Sequence, residues 1–179
     1  MRLIQTSLLL FALVGCAPTP DAPSTPRQTA EDFRAFYFRD HGRGMPSRAE
    51  LDKLAPLLTR TFQAQFQAAI EAHECHQAKV GNSEPPLVQG DLLTSLFEGA
   101  TSGGVGKITT EKSQALAEMY WSYGASELNA KPVNWTDALL LERVDGQWRI
   151  ADIELRGTWD FAQKGRLSQN LMAVRSEER

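Results

Sequence analysis

The chain has 179 residues, of which 42% are hydrophobic, 23% charged and 8% aromatic, and its formal net charge is −3. This composition is typical of one soluble globular domain and excludes an intrinsically disordered chain, a collagen-like repeat and a protein with several membrane spans. The slightly acidic balance argues against a nucleic-acid-binding protein, because such proteins carry a basic face. A domain of about 150 residues buries enough surface to fold without a metal or a disulfide.

The first residues have the pattern of a secretory signal. Arg2 supplies a positive charge, residues 8–14 form an uninterrupted apolar run, and Gly15 and Cys16 follow. Such a run reaches about 10 Å as a helix, only a third of the hydrocarbon core of a bilayer. It is therefore predicted to be the hydrophobic region of a signal peptide over residues 1–15, not a spanning helix.

The residues Leu13-Val14-Gly15-Cys16 resemble the lipobox of bacterial lipoproteins. The resemblance implies cleavage before Cys16, attachment of a diacylglycerol to its thiol and acylation of its new amino group. More than one acyl chain makes such a membrane anchor effectively stable. Ala17 stands where an aspartate would signal retention in the inner membrane, so the resemblance implies the periplasmic face of the outer membrane. The alternative is an ordinary cleaved signal that leaves Cys16 unmodified.

Residues 16–28 follow the signal as a proline-rich stretch. Four prolines fall between positions 18 and 26, and no apolar periodicity accompanies them. Such a segment is predicted to be an extended tether that spans roughly 35–40 Å. It separates the lipid anchor from a domain predicted over residues 29–175, which a polar tail at 176–179 follows.

Three helices are predicted in the first half of the domain. Thr29 is the predicted cap of the first, and Ser47 with Glu50 forms a capping box that begins the second. The third is predicted over residues 59–80 and ends at Gly81. Helical spacing of apolar residues marks one face of the first and third helices, with the members Phe33, Phe36 and Tyr37, then Phe62, Phe66, Ala69, Ile70 and His73.

The second half of the domain is predicted to be rich in strands. Asp145 and Gly146 lie between the strand-like runs 135–144 and 147–155. They specify a type I′ hairpin, because both turn residues need a positive φ. A further strand is predicted over residues 105–110.

Residues 114–123 fit two structures, since Ala, Leu, Glu and Met favour a helix whereas the run Tyr120-Trp121-Ser122-Tyr123 favours a strand. A short closing helix is predicted from Leu167, Leu171 and Val174. Helices first and an antiparallel sheet second indicate an α+β domain.

A family resemblance rests on Trp135, Leu139, Leu141, the run 145–153 and the tail 167–171. By these residues the domain resembles a family of small bacterial lipoproteins of unassigned function with the nuclear transport factor 2-like (cystatin-like cone) fold. The resemblance implies N-terminal helices packed on a curved antiparallel sheet, often with a ligand pocket in the cone. It also favours a strand over the ambiguous segment before the hairpin.

The hairpin register brings carboxylates together. With a two-residue turn, Glu142 faces Arg149, whereas Asp137 faces Glu154 with Asp152 diagonal on the same side. Like charges directly opposite destabilise a sheet, so these carboxylates indicate raised pKa values for acid–base work or a cation site. The preferred interpretation is a bulge that breaks the register or a solvated end of the hairpin.

The family resemblance also implies isomerases and dehydratases in which a pocket carboxylate works with a tyrosine or a histidine. The residues of these types that the chain offers are Asp91, His41, Tyr120 and Tyr123. With the hairpin carboxylates added, the candidate pocket consists of Asp91, Tyr120, Asp137, Asp152 and Glu154.

No metal site and no cofactor are predicted. His73 and His76 lie one turn apart on the third helix, but Cys75 points elsewhere and no second ligand cluster exists. His73 is therefore predicted to be a core or edge histidine, and Cys75 a small buried residue. Residues 103–106 resemble a phosphate loop only superficially, because Ile108 stands where Ser or Thr must bind magnesium.

Taken together, these features predict a lipid-anchored periplasmic protein without catalytic activity. It reaches the membrane through acylated Cys16 and binds an envelope protein or a small ligand, with no nucleic-acid partner. The alternatives are an isomerase- or dehydratase-type enzyme with a pocket carboxylate, and an inhibitor or immunity protein of the cell envelope.

Overall fold

A computed structural model of the chain describes residues 24–124 and 132–177. The predicted signal peptide, Cys16 and the tether as far as residue 23 lie outside the described residues. The elements follow in the order α1 (Pro26–Arg39), α2 (Arg48–Leu54), a 3₁₀ turn (Ala55–Leu57), α3 (Arg60–Val80), β1 (Ser102–Glu111), β2 (Gln114–Tyr123), β3 (Val133–Val144), β4 (Gln147–Arg156), β5 (Lys164–Arg166) and α4 (Leu167–Glu177). The predicted α+β class is confirmed.

Helix α1 begins earlier than predicted. Thr25 is its N-cap and accepts a hydrogen bond from the Gln28 amide at 3.1 Å, while Pro26 takes the first helical position, where proline is favoured. The predicted cap at Thr29 is wrong. That residue is buried inside the helix, and its hydroxyl donates to the Trp148 carbonyl at 3.1 Å.

The start of the domain is fixed to the tip of the β3–β4 hairpin. The Ser24 amide donates to the Gln147 side chain at 2.9 Å, and the Trp148 amide donates to the Ser24 hydroxyl at 2.7 Å. Helix α1 then leads away from the hairpin for 14 residues, a length of about 21 Å. Its last turn, which carries Tyr37, therefore lies far from the point where the preceding chain joins the domain.

The next two helices begin close to the predicted residues. Ser47 and Glu50 form the reciprocal capping box of α2, and Thr59 caps α3, which ends at Gly81 with φ 57°. The predicted apolar stripe of α3 is buried from Phe62 to Ile70. The prediction that Cys75 is buried is wrong, because this residue lies on the exposed face of the helix.

The five strands form one antiparallel sheet in the order β1-β2-β3-β4-β5. Residues Gln114–Tyr123 are a strand, as predicted. Asp145 and Gly146 have φ values of 51° and 82°, so both residues of the predicted turn adopt the positive φ that a type I′ hairpin requires.

A bulge interrupts the hairpin and changes the predicted register. Glu142 faces Arg149 as expected, but the pairing shifts between Leu141 and Leu140, which faces Asp152. Ala151 is therefore the extra residue on β4. As a result Ala138, not Asp137, faces Glu154. The predicted pairing of Asp137 with Glu154 is wrong, and the preferred interpretation of a bulge that breaks the register is confirmed.

The core lies between the helices and one face of the sheet. Alternate residues of β2 such as Ala117, Met119 and Trp121 are buried, as the period of a strand requires. The closing helix is confirmed, and Leu167 and Leu171 are fully buried. Within the described ranges, no helix has both the length and the apolar character needed to cross a membrane.

Candidate functional site

Two separate segments bring a tyrosine, a histidine and an aspartate together. Tyr37 lies on the buried face of α1, and His41 follows directly after the end of that helix. Asp91 begins a buried stretch of the long loop between α3 and β1, and its amide donates to the Phe97 carbonyl at 2.7 Å. The end of α1 and this loop thus form the two sides of one site.

The Asp91 carboxylate is buried and holds several donors. Its Oδ2 accepts from the Tyr37 hydroxyl at 2.7 Å, and its Oδ1 accepts from the amides of Leu93 and Thr94 at 2.7 and 3.0 Å. The residue is 2% exposed. Burial raises the pKa of Asp91, although these hydrogen bonds favour the ionised form.

The Tyr37 hydroxyl connects Asp91 to the start of the sheet. It donates to Asp91 and accepts from the Ala100 amide at 2.8 Å. Burial, with the nearby Asp91 charge, raises the pKa of Tyr37 far above its ordinary value, so the phenol keeps its proton. Gly99 makes the approach possible, since it has φ 77° and a Cβ there would lie 2.8 Å from both Asp91 Oδ2 and the tyrosine oxygen.

His41 is the unusual member of the site. Its side chain is 2% exposed, and its Nδ1 and Nε2 lie 3.4 Å from Glu50 Oε1 and 3.9 Å from Asp91 Oδ2. At these separations neither nitrogen forms a hydrogen bond with any described residue. Burial lowers the pKa of His41 more than the two carboxylates raise it, so the ring is neutral near pH 7.

A cavity of about 220 Å³ opens beside these three residues. Phe38 adds an aromatic surface to it, and the charged residues Arg43 and Glu98 complete its lining. We call the cavity, with Tyr37, His41 and Asp91, the His41 site.

Sequence reasoning named two of its three central residues. The sequence predicts Asp91 as a pocket residue and His41 as a candidate partner for a pocket carboxylate, whereas it predicts Tyr37 only as part of an apolar helix face. A signal for Tyr37 was available, because a buried tyrosine needs a partner for its hydroxyl.

Asp137, another member of the predicted pocket, joins the loop to the sheet. It is 1% exposed and accepts from the Ser95 amide at 3.0 Å, the Trp135 indole at 3.0 Å and the Arg156 amide at 2.9 Å. The Ser95 hydroxyl is a fourth donor. Burial raises the pKa of Asp137 despite these bonds. All its bonds are internal to the fold, and it does not line the His41 site.

Asp152 and Glu154 also have structural partners. Asp152 accepts from the amide and the hydroxyl of Ser168 at 3.1 and 2.7 Å, so it caps the start of α4. Glu154 accepts from the Arg156 guanidinium at 2.7 Å.

The two tyrosines of β2 lie away from the site as well. Tyr120 is 49% exposed and donates to Glu118 at 3.0 Å, and Tyr123 is partly buried against the core. Of the five residues predicted for the pocket, only Asp91 belongs to the His41 site.

The His41 site offers a neutral imidazole, a buried carboxylate and a protonated phenol. These groups can bind a small polar molecule, or take up a proton through the imidazole. Within the described ranges, no three His, Cys, Asp or Glu side chains are placed to hold a metal ion. Comparison with known proteins matched no family model, no curated protein and no solved structure.

Proposed function

We propose that this chain is a lipid-anchored protein of the bacterial cell envelope that binds a small ligand in the His41 site without transforming it. The lipobox-like residues before Cys16 support the anchor, and the missing retention signal at Ala17 supports the periplasmic face of the outer membrane. The helices packed on a bulged antiparallel sheet support a nuclear transport factor 2-like cone.

The observation that carries ligand binding is His41 itself. Its side chain is almost completely buried, yet no described residue hydrogen-bonds to either ring nitrogen. Buried polar groups are nearly always paired, so each exception needs a physical reason. Here the unpaired imidazole borders a cavity, and we propose that a ligand entering the cavity pairs with a ring nitrogen after a small shift of the ring or of the adjoining loop.

The orientation of the domain agrees with this role. The chain enters the domain at Ser24, beside the hairpin, and the His41 site lies beyond the opposite end of α1. The start of the described chain and the cavity therefore lie at opposite ends of α1.

Binding is favoured over catalysis because the carboxylate of Asp91 is already fully hydrogen-bonded within the fold. Both of its oxygens already accept hydrogen bonds from Tyr37 and from the loop that it holds together. A general base must be free to take a proton from the substrate, and a carboxylate that organises its own loop is poorly suited to this task.

The second candidate is an enzyme of the isomerase or dehydratase type. One observation favours it, since His41 is neutral near pH 7 with a carboxylate 3.9 Å from its Nε2. A neutral imidazole beside a carboxylate is suited to general-base catalysis. In that case His41, not the predicted hairpin carboxylates, takes the proton.

Native mass spectrometry of the full chain, extracted from the envelope in detergent, tests binding. We expect a small adduct that is lost in His41→Gln and kept in His76→Gln, a histidine outside the cavity. Identical spectra for both variants would contradict the proposal. If the protein also exchanges carbon-bound hydrogen of the recovered ligand with D₂O, the catalytic candidate is correct instead.

Membrane fractionation tests the anchor. Cys16→Ser is expected to move the protein out of the membrane fraction, because the acyl chains supply most of the membrane affinity. Cys75→Ser is the matched control, since Cys75 lies exposed on α3. Equal partitioning of the two variants would refute lipid anchoring at Cys16.

A further inference from the structure

We propose that two copies of this chain associate through residues 107–111 of β1, which pair antiparallel across a two-fold axis at Thr109. This association goes beyond the proposed function, because it concerns a different surface and requires neither the ligand nor the lipid anchor. Three features of the strand support it: an open edge, the direction of its backbone groups and the order of its charges.

The first feature is an open edge of the sheet. Strand β1 is the first in the order β1-β2-β3-β4-β5, and no described residue pairs with it on the side away from β2. The opposite edge is closed, since β5 pairs with the end of β4 and the Thr59 amide donates to the Ile150 carbonyl at 2.9 Å. An edge with unpaired N–H and C=O groups is a template for a further strand.

A bulge divides β1 into a protected half and an open half. The register with β2 shifts between Val105 and Ile108, and the Arg27 guanidinium donates to the Gly106 carbonyl at 3.1 Å. Residues 103–106 are half-buried, whereas Lys107 and residues 109–111 are exposed. The contact from the start of α1 therefore ends at the bulge, and the residues after it are accessible to a partner.

The second feature is the direction of the free backbone groups. A two-residue turn joins β1 to β2, so the flanking pair of Glu111 and Gln114 exchanges its hydrogen bonds inside the hairpin. The bonding direction alternates along a strand. The N–H and C=O groups of Thr110 and Ile108 therefore point away from β2, toward the open side.

These directions allow an antiparallel pairing of β1 with itself. When Thr109 of one copy lies opposite Thr109 of the other, Ile108 of each copy lies opposite Thr110 of its partner. Each of these pairs then exchanges both of its N–H···O=C bonds, because all the groups involved point toward the other copy. The axis passes through a pair without hydrogen bonds, where side chains approach each other most closely.

The third feature is the order of the charges, which selects this alignment. Centring the pairing on Thr109 places Lys107 of one copy opposite Glu111 of the other, and the two-fold axis repeats the pair. Opposite charges at facing strand positions stabilise a sheet. Centring it on Ile108 or Thr110 places Lys107 or Glu111 opposite Thr109 instead. Among the described residues neither Lys107 nor Glu111 forms an ion pair, so both charges are available.

The size of the contact determines its strength. A standard stable interface buries about 800 Å² of each partner, and a pairing of residues 107–111 alone buries less. We therefore expect a reversible dimer, which a covalent trap detects better than a separation by size.

Disulfide trapping of the full chain in freshly lysed cells tests the pairing. Thr109→Cys, with the exposed Cys75 changed to serine, places a thiol at the axis, where the two Cα atoms lie about 4.5 Å apart, within disulfide range. Thr110→Cys in the same background is the matched control, since its Cα atoms lie roughly 8 Å apart, too far for a disulfide. We expect mild oxidation to trap a homodimer of Thr109→Cys and to leave Thr110→Cys at the level of Cys75→Ser alone.

Exchange of the two charges tests the alignment. Lys107→Glu, added to Thr109→Cys, sets like charges opposite each other and is expected to lower the trapped fraction at least about threefold. Further addition of Glu111→Lys restores opposite charges and is expected to restore trapping. Lys164→Glu makes the same change of charge on exposed β5 at the other edge of the sheet, so it is the control and should not alter trapping.

Three results would overturn the proposal. Equal trapping of Thr109→Cys and Thr110→Cys, or no trapping above Cys75→Ser alone, would refute the dimer. A disulfide product whose mass is not twice that of the chain would refute a second copy as the occupant of this edge. Failure of the charge exchange to restore trapping would refute the alignment centred on Thr109. Ligand binding in the His41 site is tested separately, by native mass spectrometry.

Discussion

Tyr37→Phe is the most informative single change for stability. It removes one oxygen that donates to Asp91 at 2.7 Å and accepts from the Ala100 amide at 2.8 Å. A hydrogen bond to a charged group contributes about 1.5–3 kcal/mol, and the hydrogen bond of the partly buried Ala100 amide contributes about 0.5–1.5 kcal/mol. We therefore expect the free energy of unfolding to fall by about 2–4 kcal/mol, a large part of the total for a domain of this size.

The loss should depend on pH. Burial already raises the pKa of Asp91 in the folded state. Protonation of Asp91 therefore adds to the free energy of unfolding at pH values below the unfolded pKa, and this contribution is lost as the pH rises through the folded pKa. The Tyr37 hydroxyl lowers the Asp91 pKa, and its removal raises this pKa further. Tyr37→Phe should therefore cost more stability near pH 7 than near pH 4, because a larger fraction of Asp91 is protonated in the folded protein at the lower pH.

Urea unfolding of the full chain at both pH values measures this effect. Tyr120→Phe is the matched control, because its hydroxyl bonds only to Glu118 at the exposed surface. We expect the control to change stability by no more than about 0.5 kcal/mol. If the two variants lose equal stability, or if Tyr37→Phe loses the same amount at both pH values, the account of the Tyr37–Asp91 bond is refuted.

Two further changes test the loop that carries the site. Asp137→Asn should lower the free energy of unfolding by about 3 kcal/mol, because the new side-chain NH₂ faces N–H donors that now bond to a carboxylate oxygen. The control Asp145→Asn, in the exposed turn, should be nearly neutral. Equal unfolding midpoints of the two variants in urea would contradict this prediction. Gly99→Ala should lower the melting temperature and weaken ligand binding, since the new Cβ would lie 2.8 Å from Asp91 Oδ2. Gly104→Ala is the control, because a Cβ there meets nothing within 4 Å. An unchanged melting temperature in Gly99→Ala would refute the close contact of Gly99 with Asp91.

The sheet could be predicted well because its signals are local. The turn Asp145-Gly146 needs two positive φ values, and the strand at 114–123 follows from aromatic residues together with the family resemblance. The sequence predicts the bulge only as one of two preferred interpretations, the other being a solvated end of the hairpin, because the evidence for it is the unfavourable pairing of Asp137 with Glu154. Opposed carboxylates in a predicted register thus indicate a bulge as readily as a site.

The site was harder to predict because its parts are far apart in the chain. Asp91 lies 54 residues from Tyr37, in a loop without periodicity. Asp137 finds Ser95 at a separation of 42 residues, and no pattern links the two. The predicted start of α1 is too late because Pro26 continues the series of tether prolines in the sequence, although proline is also a preferred first residue of a helix.

A crystal structure of the full chain, purified from the envelope, tests the central claim most directly. The account predicts density for a small ligand in the cavity beside Phe38, with a polar atom of the ligand within hydrogen-bond distance of a ring nitrogen of His41. A closed cavity, in which the His41 ring hydrogen-bonds directly to Asp91 and Glu50 and no ligand enters, would contradict it.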